Sequence, residues 1–450
     1  MFVKEEMVDP VGIIYNIVQI PVSLRNGRKL TRNTEGSCRP TKIDGLNIPA
    51  KSTASMLRNA IISSLKEVTQ NESIIGCDIS GGIDSTSLYY LLQRLDDKHE
   101  IVGIHVLNSF DEGGDDFAYA SKAAMEENIE LELIRSSNSS FDPSPDALNR
   151  LTGNYLPMWY GQGARIEATY RTLQHKGASI YITGIGGDEL FDNRFTEPAQ
   201  YLKNRHYLMA LKEYWKQRQK YKFKTKMQSF VAAAYGSPTL EISRVVEELR
   251  AAGYYAPTLE DPYRWYPTLK LPNVFDESLV MKIADDFEQV AQKESAQNLP
   301  MYAFQIAEFC NMQQQFIDEI NDDFSDFGVT MTAPYLKSAV IETAIALDYI
   351  EADLSAYPKP GLRLALKKLV PNWVLNRRNK EDFTDAAFTE YCKNEDHIKR
   401  TIKNGILSDL GIFDHKRLDR FMGIPVHSLN QIELYERIYG MEKWCEVNLA

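Results

Sequence analysis

The feature that most constrains this chain is the order of its segments around residue 80. An apolar stretch, 74–79, runs into Ser80-Gly81-Gly82-Ile83-Asp84-Ser85, and helix-like residues 86–92 follow at once. Strand, tight loop and helix in that order form an anion cradle. Two glycines let the backbone come close to a ligand, successive N–H groups converge, and the helix N-terminus adds partial positive charge. A loop of this kind belongs at the edge of a parallel sheet, and the flanking sequence agrees. Residues 101–107, 129–134 and 179–183 read as further strands, with a helical segment at 53–68 leading into the first strand and another at 115–128 between later ones. This alternation predicts an α/β fold, a parallel sheet with helices on both faces, whose ligand binds beyond the carboxyl ends of the strands.

The remainder divides by pattern. Residues 12–20 and the Asn26-Gly27 turn read as short strands with a hairpin, a small β-rich N-terminal segment. After about Asn193 helical periodicity takes over, traced by Ile306, Phe309, Gln313, Phe316, Ile317 and Ile320 and again by Leu434, Ile438, Met441 and Cys445. The expected organisation is 1–52, a short β-rich piece; 53–195, the nucleotide-binding core; and 196–450, a mainly helical part. A formal charge of −11 argues against general nucleic-acid binding, although nine lysines and arginines against Glu213 make residues 201–226 locally basic. Such a run is ordinarily a solvated helix face, with a docking surface for an acidic peptide or partner as the alternative. Five widely spaced cysteines suggest neither disulfides nor zinc, no histidines have metal spacing, and no apolar run is long enough to span a membrane. A reducing cytoplasm is the expected setting.

A second glycine turn, Thr183-Gly184-Ile185-Gly186-Gly187-Asp188-Glu189, follows the fourth strand. Taken alone it reads as an ordinary turn. Beside the first loop it reads as the other half of a pyrophosphate site, because Asp84 and Asp188 both sit just past strand ends and together suit Mg²⁺, which takes one or two carboxylates plus phosphate oxygens.

The 80–85 loop lacks the Gly-Lys-Ser/Thr of a Walker loop and the spacing of the dinucleotide fingerprint. It resembles the PP-loop of ATP pyrophosphatases, which implies a PP-loop, HUP-like core. Ser-Gly-Gly-x-Asp-Ser followed by Gly-x-Gly-x-Asp-Glu-x-Phe is similar to the synthetase domain of asparagine synthetases. Residues 370–385 resemble the late segment of that family, with Pro371, Val374, Arg377 and Lys380-Glu381-Asp382-Phe383, and Gly328-Val329 through Pro334-Tyr335-Leu336 resembles another of its turns. The resemblance covers roughly residues 55–450. It implies an ATP-dependent carbon–nitrogen ligase: a carboxylate attacks the α-phosphorus, pyrophosphate leaves, and an amine displaces AMP. Ser80, Gly81, Gly82, Asp84, Ser85 and Gly184 would hold ATP and pyrophosphate, Asp84 and Asp188 would hold Mg²⁺, and Lys380 would be the catalytic lysine. Glu189 and Asp192 are candidates for proton transfer.

Departures from the family narrow the substrate. Phe2 stands where a glutaminase nucleophile would be, Ile185 replaces the Glu or Tyr of the second turn, and Thr330, Thr332 and Lys337 replace charged residues expected near Pro334. Free aspartate and glutamine-derived ammonia are therefore not expected. The chain looks most like the lasso-peptide cyclases, which close a precursor peptide into a macrolactam. That resemblance is carried by the Gly-Gly-Asp turn, by Asp111-Glu112-Gly113-Gly114-Asp115-Asp116 and by residues 402–418. It implies a precursor-peptide substrate and, as partners, a maturation protease or leader-binding protein. Other small-molecule amide or β-lactam-type synthesis is the alternative, and a tRNA-modifying PP-loop enzyme fits less well. Trp159, Tyr160 and Arg165 lie where a substrate segment of the family would run, with aromatic core packing the expected role.

Overall fold

The computed structural model describes residues 8–25, 46–49, 51–95, 99–107, 115–135, 141, 143, 145–151, 155–192, 196–221, 227–257, 263–293, 299–347, 358–378 and 384–449. Among them, five strands form one sheet: β1 Ile74–Asp78, β2 Glu100–Val106, β3 Leu131–Ile134, β4 Ile180–Ile182 and β5 Thr330–Thr332, in the order β3-β2-β1-β4-β5. Every neighbouring pair is parallel, and Cys77 stands opposite both Gly103 and Ile182. The chain winds outward from β1 through β2 to β3, then returns to lay β4 on the other side of β1. The strand order therefore reverses at β1, and the loop after β1 opens at the switch point where α/β sheets bind ligands.

Burial explains why these segments are strands. Ile75, Cys77 and Ile79 are completely covered, and on the opposite face a side chain at Gly76 would strike Leu173 of the Gly163–His175 helix. A strand covered on both faces needs an apolar run rather than alternation. Four of the strands lie where the sequence places them. β5 has only three residues, too few to register as a period, and is held in place by β4 and by the side chain of Asn321, which accepts from Met331 N (2.7 Å) and donates to Met331 O (2.9 Å).

The N-terminal segment departs from expectation. Pro10–Ile17 is an α-helix rather than a strand: the Asp9 carboxylate caps it by accepting from Val11 N, and Pro10 occupies its first turn, where a missing N–H costs nothing. A short apolar run such as Val11–Ile14 fits a buried helix as well as a strand. The Asn26-Gly27 turn lies outside the described residues. Ile13, Ile14 and Ile17 are buried in the common core, and the buried Arg437 guanidinium donates to Asn16 O, Leu156 O and Pro157 O, tying this helix to the C-terminal Leu429–Leu449 helix. Beyond Thr196 the fold is helical apart from β5, with Met301–Asp323 the longest helix among the described residues. No helix among them is long and apolar enough to cross a membrane.

Candidate active site

The 80–85 loop is built to turn tightly. Gly81 has φ +82°, and a Cβ there would lie 2.4 Å from the Asp116 carbonyl oxygen, so only glycine fits. Ser85 Oγ accepts from Ser80 N at 3.1 Å and sits 2.8 Å from Ser80 Oγ, while Ser80 Oγ accepts from Gly82 N at 3.2 Å. The two serines thus brace the turn from within, taking up the N–H groups of Ser80 and Gly82. Asp84 opens the Ile83–Leu95 helix, and the second turn meets it there: a Cβ on Gly187 would lie 2.4 Å from the Asp84 carboxylate. The third matched turn closes the arrangement, with Tyr335 Oη donating to the Asp84 carbonyl at 3.2 Å and Leu336 against Gly186.

The Asp84 and Asp188 carboxylates share one cation, which is Lys359. Its ammonium donates to Asp84 Oδ2 and, at 2.5 Å, to Asp188 Oδ1, with Asp192 Oδ2 at 3.9 Å, and its backbone N–H donates to Asp192 Oδ1 at 2.9 Å. Burial opposes the charge on Lys359, but the three carboxylates outweigh it and hold the ammonium above the ordinary lysine range. Burial likewise pushes the Asp84 carboxyl up, and the Lys359 ammonium is the main influence opposing that rise. Lys359 itself sits at φ +55° between two prolines, a left-handed conformation costly for a residue with a Cβ. The ion network and the helix it precedes, Pro360–Leu366, hold it there.

A cleft of ≈ 330 Å³ opens in front of this network. Ser80, Asp84, Ser85, Gly184 and Asp188 line its polar end, and Ile185, Phe316, Ile320 and Met331 line an apolar end. Between them lie Asp78, Tyr181 and Arg165, close enough to influence one another electrostatically. The protein around Arg165 lowers its guanidinium from the ordinary value, with Tyr181 and Asp78 opposing, and a guanidinium stays charged across any working pH. Arg165 is thus a cleft residue, one helical step from the core face where it was expected. Trp159 and Tyr160 do pack in the core, with Trp159 Nε1 donating to Asp323 at 2.7 Å.

Other expected residues fall elsewhere. Glu189 turns toward the Met301–Asp323 helix, where its Oε1 accepts from Gln313 at 2.8 Å, and burial raises its carboxyl. Asp192 holds the backbone of Lys359 instead of facing the cleft. Lys337 is at the surface, donating to Glu67 at 2.9 Å; Met331, between Thr330 and Thr332, is the residue that reaches the cleft. Lys380 lies outside the described residues, as do Asp111 to Gly114. The segment leading to Lys380 is docked beside the loop: buried Arg377 pairs with Asp116, its guanidinium lies 4.2 Å above the Tyr119 ring, and Trp373 Nε1 donates to Glu126 at 3.0 Å.

The pair Asp84 and Asp188 suits Mg²⁺. It already accommodates a positive charge, and Asp84 Oδ1, buried without a hydrogen-bond partner, offers a further ligand atom. No group of three or more metal-ligating side chains occurs among the described residues, so a cation here would take its remaining ligands from phosphate or water. Lys359 was not legible as a site residue; its only sequence signal is the rigid Pro358-Lys359-Pro360 frame.

No curated protein matches this chain. Among solved structures it is similar to the U34-tRNA thiolase NcsA from Methanococcus maripaludis with its 4Fe-4S cluster, at 17% identity and a TM-score of 0.23, over 70% of this chain and 88% of that one. That likeness is too distant to bear on the chemistry. A family model described as asparagine synthase matches residues 56–446, nearly the whole chain and all three glycine- or proline-bearing turns that meet at Asp84. The chain belongs to the asparagine synthase family and is an ATP-dependent amide-forming ligase.

Proposed function

We propose that this ligase adenylates a carboxylate of a peptide and joins it to an amine of the same peptide, closing a macrolactam as the lasso-peptide cyclases do. The observation that carries the reading is the cleft itself. It runs from a phosphate cradle to an apolar end at Ile185, Phe316, Ile320 and Met331, and Ile185 stands where the family resemblance places a Glu or Tyr. A peptide brings its own amine and buries apolar side chains in such a pocket.

In the first step a substrate carboxylate oxygen bonds to the α-phosphorus of ATP, the bond to the bridging oxygen breaks, and pyrophosphate leaves. Ser80, Ser85 and the remaining N–H groups of the loop receive the pyrophosphate oxygens, and Lys359 neutralises part of their charge. Mg²⁺ held by Asp84 and Asp188 would screen the phosphates from the incoming carboxylate. In the second step the amine nitrogen adds to the acyl carbon, the tetrahedral intermediate expels AMP, and the amine proton passes to solvent or phosphate. Arg165 and Asp78, which also line the cleft, orient the carboxylate donor and the amine, whose ammonium form gives up a proton to solvent before the nitrogen adds. Lys380 supplies the further donor that the family resemblance implies.

A second reading is favoured by the same Arg165 and Asp78 pair, which would suit the α-carboxylate and α-amino groups of a small amino diacid. ATP–pyrophosphate exchange decides between them. A peptide with a free N-terminus and an internal Asp or Glu supports exchange and AMP formation, and Asp84→Asn abolishes both. Exchange with an amino diacid but with no such peptide refutes the macrolactam reading, and normal exchange in Asp84→Asn refutes the metal assignment.

A further inference from the structure

The locally basic stretch is also the most apolar part of the described surface. Leu208, Leu211 and Trp215 recur along one face of the Tyr207–Tyr221 helix, and Met227, Val231 and Tyr235 along one face of Met227–Tyr235; Leu208 is 88% exposed and Trp215 50%. Their spacings, i, i+3, i+7 and i, i+4, i+8, are those of core-facing stripes, yet these stripes face outward. The inner faces are already occupied. Tyr214 packs against Phe230 with ring centroids 4.8 Å apart, and both rest on Tyr263. Each of the two helices therefore presents an exposed apolar row. Exposed patches of this kind mark interaction sites.

Charge selects the occupant. Residues 201–226 carry nine lysines and arginines against Glu213, and Lys203, Arg205 and Lys212 are exposed beside the rows, in a chain whose net charge is −11. A charge of +8 here leaves −19 elsewhere. A net-negative chain disfavours an extended anionic bilayer, whereas a single short helix needs only the local positive charge. The patch is also near the cleft. The Glu197–Lys203 helix, which follows the Asp188 turn, packs on both the Tyr207–Tyr221 and the Met301–Asp323 helices, and the latter supplies Phe316 and Ile320 to the cleft wall.

We propose that the outer face of the Tyr207–Tyr221 helix docks an acidic, amphipathic peptide helix, laid along the Leu208, Leu211 and Trp215 row with its carboxylates on Lys203, Arg205 and Lys212. The peptide reading of the active site makes this the recognition segment of the substrate; the surface argument itself does not depend on the chemistry.

The test uses the full chain and a fluorescein-labelled peptide of three Leu-Glu-Glu-Leu-Leu-Glu-Glu heptads, with a control in which Lys replaces every Glu. Fluorescence anisotropy should show binding of the acidic peptide only, weakened about tenfold or more between about 0.05 and about 0.5 M salt. A Leu208→Ser/Leu211→Ser/Trp215→Ser variant, which removes the apolar row, should lose affinity at least tenfold. A Lys203→Glu/Lys212→Glu variant, which leaves the apolar rows intact, should lose affinity and salt sensitivity together. Equal binding of both peptides, unchanged affinity in either folded variant, or preference for phosphatidylserine vesicles over the peptide overturns the proposal. ATP–pyrophosphate exchange with a short soluble substrate should be unaffected in both variants. Exchange that fails in the parent chain refutes the active-site reading while leaving the docking result to stand on anisotropy.

Discussion

Replacing Lys359 with methionine isolates the role of the internal cation. The side chain keeps its length and apolar stem but loses the charge that lies between Asp84 and Asp188. Removing one member of a buried ion pair costs about 3–5 kcal/mol. Most of that comes from Asp84, whose side chain is 15% exposed, and less from Asp188, which is 55% exposed and screened by water. With an unfolding entropy of about 2.1 cal/mol/K per residue, a loss of that size across this chain lowers Tm by roughly 3–5 °C. The two carboxylates, no longer neutralised, should then recruit a divalent cation without nucleotide. Differential scanning fluorimetry with and without Mg²⁺ therefore gives two readouts: a lower Tm for Lys359→Met, and a Mg²⁺-dependent recovery that the parent chain lacks. Because the folded ammonium titrates above its unfolded value, its contribution is fully present below about pH 10 and is lost only as pH rises through the folded value. The Tm difference should accordingly be flat between about pH 6 and about pH 9. An unchanged Tm, or an equal Mg²⁺ response in both proteins, would refute the reasoning.

Glu442 offers a stability test away from the site: it is buried under Leu407 N, and burial raises its carboxyl to about 8. A raised acid lets the folded state hold its proton longer, so stability falls as pH rises from the unfolded value toward the folded one. Glu442→Gln should then raise Tm at about pH 8 and give little gain near about pH 5; a gain that is the same at both would show that Glu442 does not titrate in this range. Gly187→Ala drives a methyl group into Asp84 and should slow ATP–pyrophosphate exchange about 10²-fold with circular dichroism unchanged. Arg377→Met strands the buried Asp116 carboxylate and should cost about 3–5 kcal/mol in urea denaturation, much of it recovered in the double variant with Asp116→Asn. Arg165→Met should raise KM for the carboxylate substrate with exchange still detectable at saturation; an unchanged KM would remove Arg165 from the substrate site.

The parts of this molecule that sequence reveals are those where one residue type is physically required. Gly81, Gly187 and the strand that precedes each turn could be read directly, because close approach and double-sided burial restrict what can stand there. Lys359 could not, because a lysine between two prolines in a loop has no periodicity, and its meaning depends on two aspartates more than 170 residues earlier. Arg165 was misplaced for a related reason: Trp159 and Tyr160 beside it are core residues, but the start of a new helix at Gly163 turns Arg165 to another face. The N-terminal helix was misread because Val11–Ile14 is too short to show a period, and the Asp9-Pro10 start signal is the cue that distinguishes it. The removal of Thr330 and Thr332 from the pocket wall is a matter of strand pleat, which alternates sides and puts Met331 inward, whereas Lys337 lies beyond the strand, past the Pro334–Leu336 turn.

The pairing of Arg377 with Asp116 spans 261 positions, and Tyr335 reaches back 251 to the carbonyl of Asp84. On the ribosome these partners emerge far apart in time. The sheet and its glycine loop are complete once β4 has emerged, apart from the edge strand β5, yet at that stage the loop has neither the residue that braces Asp84 nor the lysine that neutralises it. A nascent chain ending anywhere before Lys359 carries the buried Asp84 and the neighbouring Asp188 in mutual repulsion, without the ammonium that joins them. The site is thus assembled last, from the carboxyl end inward, and high sequence separation of this kind makes its closure the slow event in folding. Pulse proteolysis during refolding would find the β1 to β4 core protected before the 370–378 segment.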